Sequence, residues 1–167
     1  MKEAPRDRPS ARGLRIAIVR SLFNRPVTDG LLEGARGALV EMGAATGRVA
    51  VFDLPGAFEL PLAAAAAARG GRFDAVVALG AVIEGETDHY EHVAREAAAG
   101  LAAVARETGV PVAFGVLTVR EEEQARRRAA PGPENKGAEA ARAAVMKVHA
   151  LRAIRGRRRG TRTGRSR

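Results

Sequence analysis

Four short apolar runs, each followed by a longer segment of helical period, constrain this chain more than any other feature. R-I-A-I-V-R (15–20), R-V-A-V-F-D-L (48–54), F-D-A-V-V-A-L-G-A-V-I (73–83) and V-P-V-A-F-G-V-L-T (110–118) read as strands. The first is followed by a helix over 27–43, with Leu31, Leu32, Ala35, Leu39 and Met42 at helical spacing and Gly43 as its stop. An Ala-rich helix within 55–69, established after Pro61, follows the second, and a helix over about 89–108 follows the third. After the fourth come a short helix over 121–130, acids first and bases last as the helix dipole favours, a Pro-Gly-Pro break, and a final helix from Asn135 to Ile154. Strand–helix alternation with buried strands predicts a parallel sheet with helices on both faces, joined by right-handed crossovers. The third run is almost continuously apolar and so belongs at the centre of the sheet.

Such sheets bind ligands beyond the carboxyl ends of their strands. That rule gathers Phe23-Asn24, Pro55 to Glu59, Glu84 to His89 and Phe114 to Thr118 on one expected rim.

A chain of 167 residues with 46% hydrophobic residues supports one domain with a packed core. Aromatics are only 4% and Trp is absent, so Ala, Val and Leu carry the packing. With no cysteine, disulfides, thiolate metal sites and a cysteine nucleophile are all excluded, and redox chemistry does not mark a compartment. No apolar run approaches the roughly 20 residues of a membrane helix. The opening M-K-E-A-P-R-D-R-P-S-A-R-G is charged and Pro-broken, without the apolar core of a signal peptide, so no membrane partner and a cytoplasmic location are expected.

The formal charge of +9 is concentrated near one end. Residues 155–167 hold seven Arg and no acid, which leaves +2 for residues 1–154. A segment of Arg, Gly, Ser and Thr buries too little apolar area to order itself, and it reads as a solvated tail. It is able to bind polyanions through phosphate contacts weakened by salt, although that is not the function expected of the chain.

At the rim, Gly85-Glu86-Thr87 lies between a strand and a helix start. It reads either as an ordinary turn capped by Thr87 or Asp88, or as a phosphate cradle of backbone N–H groups. Glu86 opposes the second reading unless its carboxylate points away. His89 and His92 stand three apart, but there is no cysteine and no clear third histidine to complete a metal set, and a His on the first turn suits a proton shuttle better. His92 and His149 carry no functional signal. Phe23, Phe58 and Phe114 are either core residues or walls for a planar heterocycle. Among Arg126, Arg127 and Arg128, a solvated helix end and a bidentate phosphate ligand are both open.

These clusters, in this order and at these separations, resemble the lumazine synthase family, which supplies the penultimate enzyme of riboflavin biosynthesis. The likeness rests on F-N (23–24), P-G-A-F-E-L-P (55–61), G-A-V-I-E-G-E-T-D-H-Y (80–90), P-V-A-F-G-V-L-T (111–118), E-Q-A (123–125) and N-K-G (135–137). It covers Leu14 to about Ile154. A flexible arm is expected over 1–13, the catalytic domain over 14–154 and a disordered Arg-rich tail over 155–167.

The resemblance implies a flavodoxin-like three-layer αβα sandwich around a four-stranded parallel sheet. It implies a transferase that condenses 5-amino-6-(D-ribitylamino)uracil with 3,4-dihydroxy-2-butanone 4-phosphate, giving 6,7-dimethyl-8-ribityllumazine, phosphate and water, with no metal or organic cofactor. By the same likeness, Phe23 stacks on the pyrimidine, and Ala57, Phe58 and Glu59 hold the ribityl chain. Ala81, Val82 and Ile83 line the uracil pocket, with Phe114 as a further pocket residue. Glu86, Thr87 and Arg128 meet the phosphate and His89 transfers protons, while Asn24 and Lys136 support the site.

The family forms homopentamers with active sites shared between neighbours, some packed into icosahedral shells, and association with riboflavin synthase is compatible with that. R-A-A-P-G-P-E-N departs from the family's glycine-containing link before N-K-G, leaving pentamer, decamer and shell open. Two other readings stay in view: a member that binds flavin or lumazine without turnover, and a polyanion binder acting through the tail.

Overall fold

The computed structural model describes residues 9–157. Most of the expected arm (1–8) and of the expected tail (158–167) lies outside the described residues. Strands β1 (Ile16–Ser21), β2 (Val49–Leu54), β3 (Ala75–Ile83) and β4 (Val112–Val119) form one sheet in the order β2-β1-β3-β4, and every pairing is parallel. Helices α1 (Arg25–Glu41), α4 (Glu122–Ala129) and α5 (Lys136–Arg157) cover one face. Helices α2 (Leu60–Arg69) and α3 (His89–Thr108) cover the other. This is the three-layer α/β sandwich expected from the alternation. The central β3 is buried through its first eight residues, as its apolar run requires, whereas the edge strand β2 is half-buried or exposed throughout.

The core divides by strand parity, because successive side chains of a strand point to opposite faces. Ile16, Ile18, Val77 and Leu79 pack under α1 and α5, while Ala17, Val19, Val76 and Ala78 pack under α2 and α3. Ala11, inside the expected arm, is fully buried and donates its amide to Met42 O at 2.8 Å. Helix α5 continues three residues past Ile154, into the Arg-rich stretch.

Element ends follow local chemistry. Helix α1 starts at Arg25, two residues before the sequence expectation, with Pro26 in its first turn. A 3₁₀ turn over Ala57–Glu59 leads into α2, with Pro61 again in the first turn. Strand β4 begins two residues late because the Thr108 hydroxyl and Gly109, at φ +68°, finish α3 there. Helix α4 carries a capping box between Glu121 and Gln124.

The N-K-G segment locks α5 onto α1. Asn135 is buried, and its Nδ2 donates to Ala129 O (2.8 Å), Ala130 O (3.1 Å) and Gly30 O (3.1 Å). Its Oδ1 accepts the Ala138 N–H at 3.0 Å and so caps α5. A Cβ on Gly137 would collide with the backbone carbonyl of Leu31, and one on Gly34 with the Asn135 amide. Gly137→Ala is therefore expected to lower stability by about 1–3 kcal/mol, the usual cost of overpacking. Gly47→Ala, where a Cβ meets open space, should change little. Denaturant midpoints of the two variants check this, and equal midpoints would remove the steric account.

Arg20 is the one charged residue of β1 and is only 6% exposed. Its fork donates to the cross-strand partner Asp53 through Nε (2.8 Å) and Nη2 (3.0 Å), and Nη1 pairs with Asp29 of α1. The Arg20 hydrogen bonds hold the Asp53 carboxyl below the usual carboxylate range, while Asp53 in turn raises Arg20. A depressed folded pKa contributes stability that is present above the ordinary Asp range and is lost as pH falls through the folded value. Asp53→Asn should therefore cost about 1–2 kcal/mol at neutral pH, allowing for a carboxylate 43% exposed. That gap should narrow below about pH 4. Thermal melts of both proteins across pH 3–7 test it; a gap independent of pH would exclude the ion pair as its source.

Candidate active site

The carboxyl ends of β1, β2 and β3 enclose a cavity of about 390 Å³. Phe23 comes from the turn after β1, Gly56 to Glu59 from the turn after β2, and Ala81 to Ile83 from the end of β3. Gly85, Thr87, His89, Tyr90 and Val93 close the remaining wall from the start of α3. Parallel pairing persists beyond the strands, since Leu22 N–H donates to Leu54 O (2.8 Å) and Phe23 N–H to Pro55 O (3.2 Å). Gly80 eases the packing of Leu60 on β3, since a Cβ there would stand a tight 3.3 Å from the Leu60 side chain.

Asn24 holds the rim together. It is the only described non-glycine residue with positive φ, at φ 58° and ψ 46°, a conformation Asn tolerates better than most residues. Its Nδ2 donates to Ala81 O at 2.9 Å, tying the turn after β1 to the end of β3. That places Phe23, 69% exposed, at the mouth of the cavity. Phe58 is also 59% exposed and Phe114 47%, so none of the three rim candidates is a core residue.

The segment Glu84 to His89 is exposed. Asp88 occupies the N-cap position of α3 without a side-chain cap bond. Among the described residues, the amides of Gly85, Glu86 and Thr87 have no protein acceptor, and they precede a helix of 20 residues. This is the local chemistry of an anion cradle. Glu86 is exposed and is not a wall of the cavity. The Tyr90 phenol is pushed up by desolvation and by the Glu84 and Glu91 carboxylates, so it stays protonated.

Phe114 corrects the sequence expectation. It is the third residue of β4, not a residue at the strand's end, and it lies away from the cavity described above. With Thr118, Arg128, Lys136 and Lys147 it lines a separate groove of about 430 Å³ along β4 and α5. Arg128 Nη1 donates to Gln124 O at 3.1 Å, and Lys136 pairs with Glu139 one turn on. Arg126, by contrast, is engaged by Glu122, whose hydrogen bond raises its pKa. One chain thus presents two separate concavities.

No group of three His, Asp or Glu side chains that could hold a metal occurs among the described residues. His92 Nδ1 lies 2.9 Å from Arg95 Nη2, and His149 Nε2 lies 2.7 Å from Ser10 O, which gives both histidines structural partners. No helix among the described residues is long and apolar enough to cross a membrane.

The family model of 6,7-dimethyl-8-ribityllumazine synthase matches residues 13–152. The chain belongs to this family. Membership makes it a member of a family of transferases of riboflavin biosynthesis acting on small molecules. The match ends at Arg152, so most of the Arg-rich stretch stands apart from it. Tyr90 and Val93 line the cavity although sequence reasoning did not select them. Val93 was the one with a signal, since it stands four residues after His89 and three after Tyr90 on the same helix face.

Asn24→Gly keeps the left-handed turn but deletes the bond to Ala81. Amide exchange over residues 22–25 and 81–85 should then quicken by about 3–10-fold, the equivalent of one hydrogen bond. Global melting should change little. Unchanged exchange would show that the Ala81 contact does not fix the rim.

Proposed function

We propose that the protein condenses 5-amino-6-(D-ribitylamino)uracil with 3,4-dihydroxy-2-butanone 4-phosphate to form 6,7-dimethyl-8-ribityllumazine, the penultimate step of riboflavin biosynthesis. The observation that carries this reading is the meeting of Phe23, Ala57 to Glu59, Ala81 to Ile83, Thr87 and His89 around one cavity. Those are the residues through which the sequence resembles the family.

In this reading Phe23 stacks on the pyrimidine, while the 57–59 turn and its Glu59 carboxylate hold the ribityl hydroxyls. Ala81, Val82 and Ile83 recognise the uracil by backbone and apolar contact. The phosphate rests on the amides of Glu86 and Thr87 at the start of α3. The 5-amino group attacks the ketone, water leaves to give an imine, and phosphate is eliminated. The ribitylamino nitrogen then closes the ring with loss of a second water. Each step moves a proton, and none needs a covalent bond to the protein, so positioning and one acid–base group suffice. His89, exposed at the cavity wall, is assigned that transfer.

Phe114, Arg128 and Lys136 enter the same site from a neighbouring copy. Their groove lies on the β4 side of the molecule, and a second copy would complete the phosphate pocket with a cation. A homopentamer of cytoplasmic subunits fits this arrangement.

The test is to mix purified protein with both substrates and follow lumazine absorbance and fluorescence, with light scattering on the same sample for assembly size. His89→Ala should slow turnover by about 10²–10⁴-fold while leaving uracil binding nearly unchanged. Arg128→Ala should raise KM for the butanone phosphate far more than for the uracil. No lumazine from the wild-type chain would sink the assignment, and equal effects of Arg128→Ala on both KM values would remove its phosphate role.

A further inference from the structure

Near its carboxyl end, strand β1 carries a residue that core packing does not call for. Side chains 16, 18 and 20 share the face of the strand under α1, and Ile16 and Ile18 are fully buried there. An apolar side chain at position 20 would continue that row, and exchanging a buried ion pair for packed apolar groups is commonly neutral or stabilising. Arg20 instead sends its guanidinium to carboxylates on two other elements, Asp53 of β2 and Asp29 of α1. Both carboxylates are about half exposed, so solvent screening limits what the fork adds to stability.

What the fork secures is geometry. β2 is an edge strand that pairs with β1 alone, so among the described residues no ladder on its outer side fixes where it ends. Arg20 and Asp53 are register partners, one step before the ladder closes at Ser21 and Leu54. Past that step the chain turns over Pro55 and Gly56 into the Ala57–Glu59 wall of the cavity. Among the described residues, Asp53 is the only one of residues 49–59 whose side chain makes a hydrogen bond. Glu59 has no side-chain partner of its own, and its Oε2 lies where a Cβ on Gly56 would stand 3.0 Å away. The place of that carboxylate therefore follows the backbone of the turn. The other arm of the fork, Asp29, sits in the second turn of α1, whose start is already tied to β3 by Asn24. The two arms are unequal: α1 has a second tether, and the end of β2 does not.

We infer that Arg20 is a positioning residue that, through Asp53, sets the Ala57–Glu59 turn and so governs recognition of the ribityl chain. This rests on the proposed reaction, in which that turn holds the ribityl hydroxyls. Neither Arg20 nor Asp53 lines the cavity, so the effect passes through the backbone of residues 54–56. A polyol is recognised by directional hydrogen bonds, which weaken steeply once donor and acceptor leave their narrow range of distance and angle. A bidentate guanidinium–carboxylate pair supplies the needed constraint, because its two parallel bonds fix orientation as well as distance. The pyrimidine end of the cavity and the turn at the start of α3 are built on β3 and α3, beyond the reach of this arm.

The experiment combines amide exchange with steady-state kinetics on full-length wild type, Arg20→Met, Asp53→Ala and Asp29→Ala, all assayed below the onset of melting. Met keeps an unbranched stem at position 20 without the charge. In Arg20→Met and Asp53→Ala, amides of residues 54–59 should exchange about 10-fold faster, while those of residues 81–85 stay as they are. KM for the ribitylaminouracil should rise about 10-fold in the same two variants, with kcat and the butanone phosphate KM within about 2-fold of wild type. Asp29→Ala, whose arm is backed by Asn24, should shift each of these by less than about 2-fold. Unchanged exchange over residues 54–59, or KM values that rise together for both substrates, would overturn the inference. Equal effects of Asp29→Ala and Asp53→Ala would overturn it too, since a merely structural fork predicts no difference between its arms. If Arg20→Met fails to fold, the two Asp variants decide the question alone. No lumazine from the wild type, whose fork is intact, would instead remove the reaction and the ribityl role with it; the exchange data would still decide whether the fork sets the turn.

Discussion

Parallel pairing of four strands is the constraint on which the rest of this structure depends. It forces each connection to cross a face of the sheet, and so it places all strand starts at one end and all strand ends at the other. The two ends then acquire different chemistry. At the carboxyl ends the chain leaves the ladder with unfinished backbone, which Asn24 and the continued β1–β2 pairing only partly satisfy. At the amino ends α2, α3 and α5 finish, and Arg155 donates to Gly109 O at the end of α3.

The sheet and its helices were legible because periodicity reports burial, and burial here is nearly complete for β1 and β3. The cavity was legible for a related reason: the topological rule converts strand ends into a place, and residues just past β1, β2 and β3 share it. Phe114 marks the limit of that rule. The strand read over 110–118 ends within one residue of β4's own end, yet Phe114, which the rule groups with the strand end, lies in its interior. The Arg20 fork was also illegible, although its elements were in view. An Arg within an apolar run reads as a strand end unless its partners are known, and Asp29 and Asp53 come from a helix and a neighbouring strand. The same holds for Asn135, whose four hydrogen bonds reach Gly30 of α1, Ala129 and Ala130 at the end of α4, and Ala138 of α5.

Motif residues thus divide by what they do physically. Asn135 and Gly137 lie in a motif that resembles a site motif, yet their burial and contacts are those of a helix cap and a close helix crossing. Lys136 between them is the residue of that trio that reaches a groove. Asn24 is intermediate, since it does not line the cavity itself but its side chain bonds Ala81 and so fixes two segments that do. A left-handed Asn with a long-range side-chain bond is a costly local choice, and it persists where the surrounding structure holds it.

The charges that line the cavity bear on what it can hold. Among its lining residues Glu59 is the one carboxylate and there is no Lys or Arg, so the free amides at the start of α3 are the groups able to meet an anion. Arg120 lies 3.8 Å from Glu84, Arg25 lies 3.7 Å from Asp29, and Arg20 is held by Asp53 and Asp29, so these cations already face acids. Arg128 and Lys136 sit in the other groove. On the proposed reaction, a cavity with apolar walls and amides but no committed cation suits the neutral pyrimidine better than the anionic partner. On that reading the missing charge would come from a second chain, which would make assembly a condition for phosphate recognition rather than a means of stability alone.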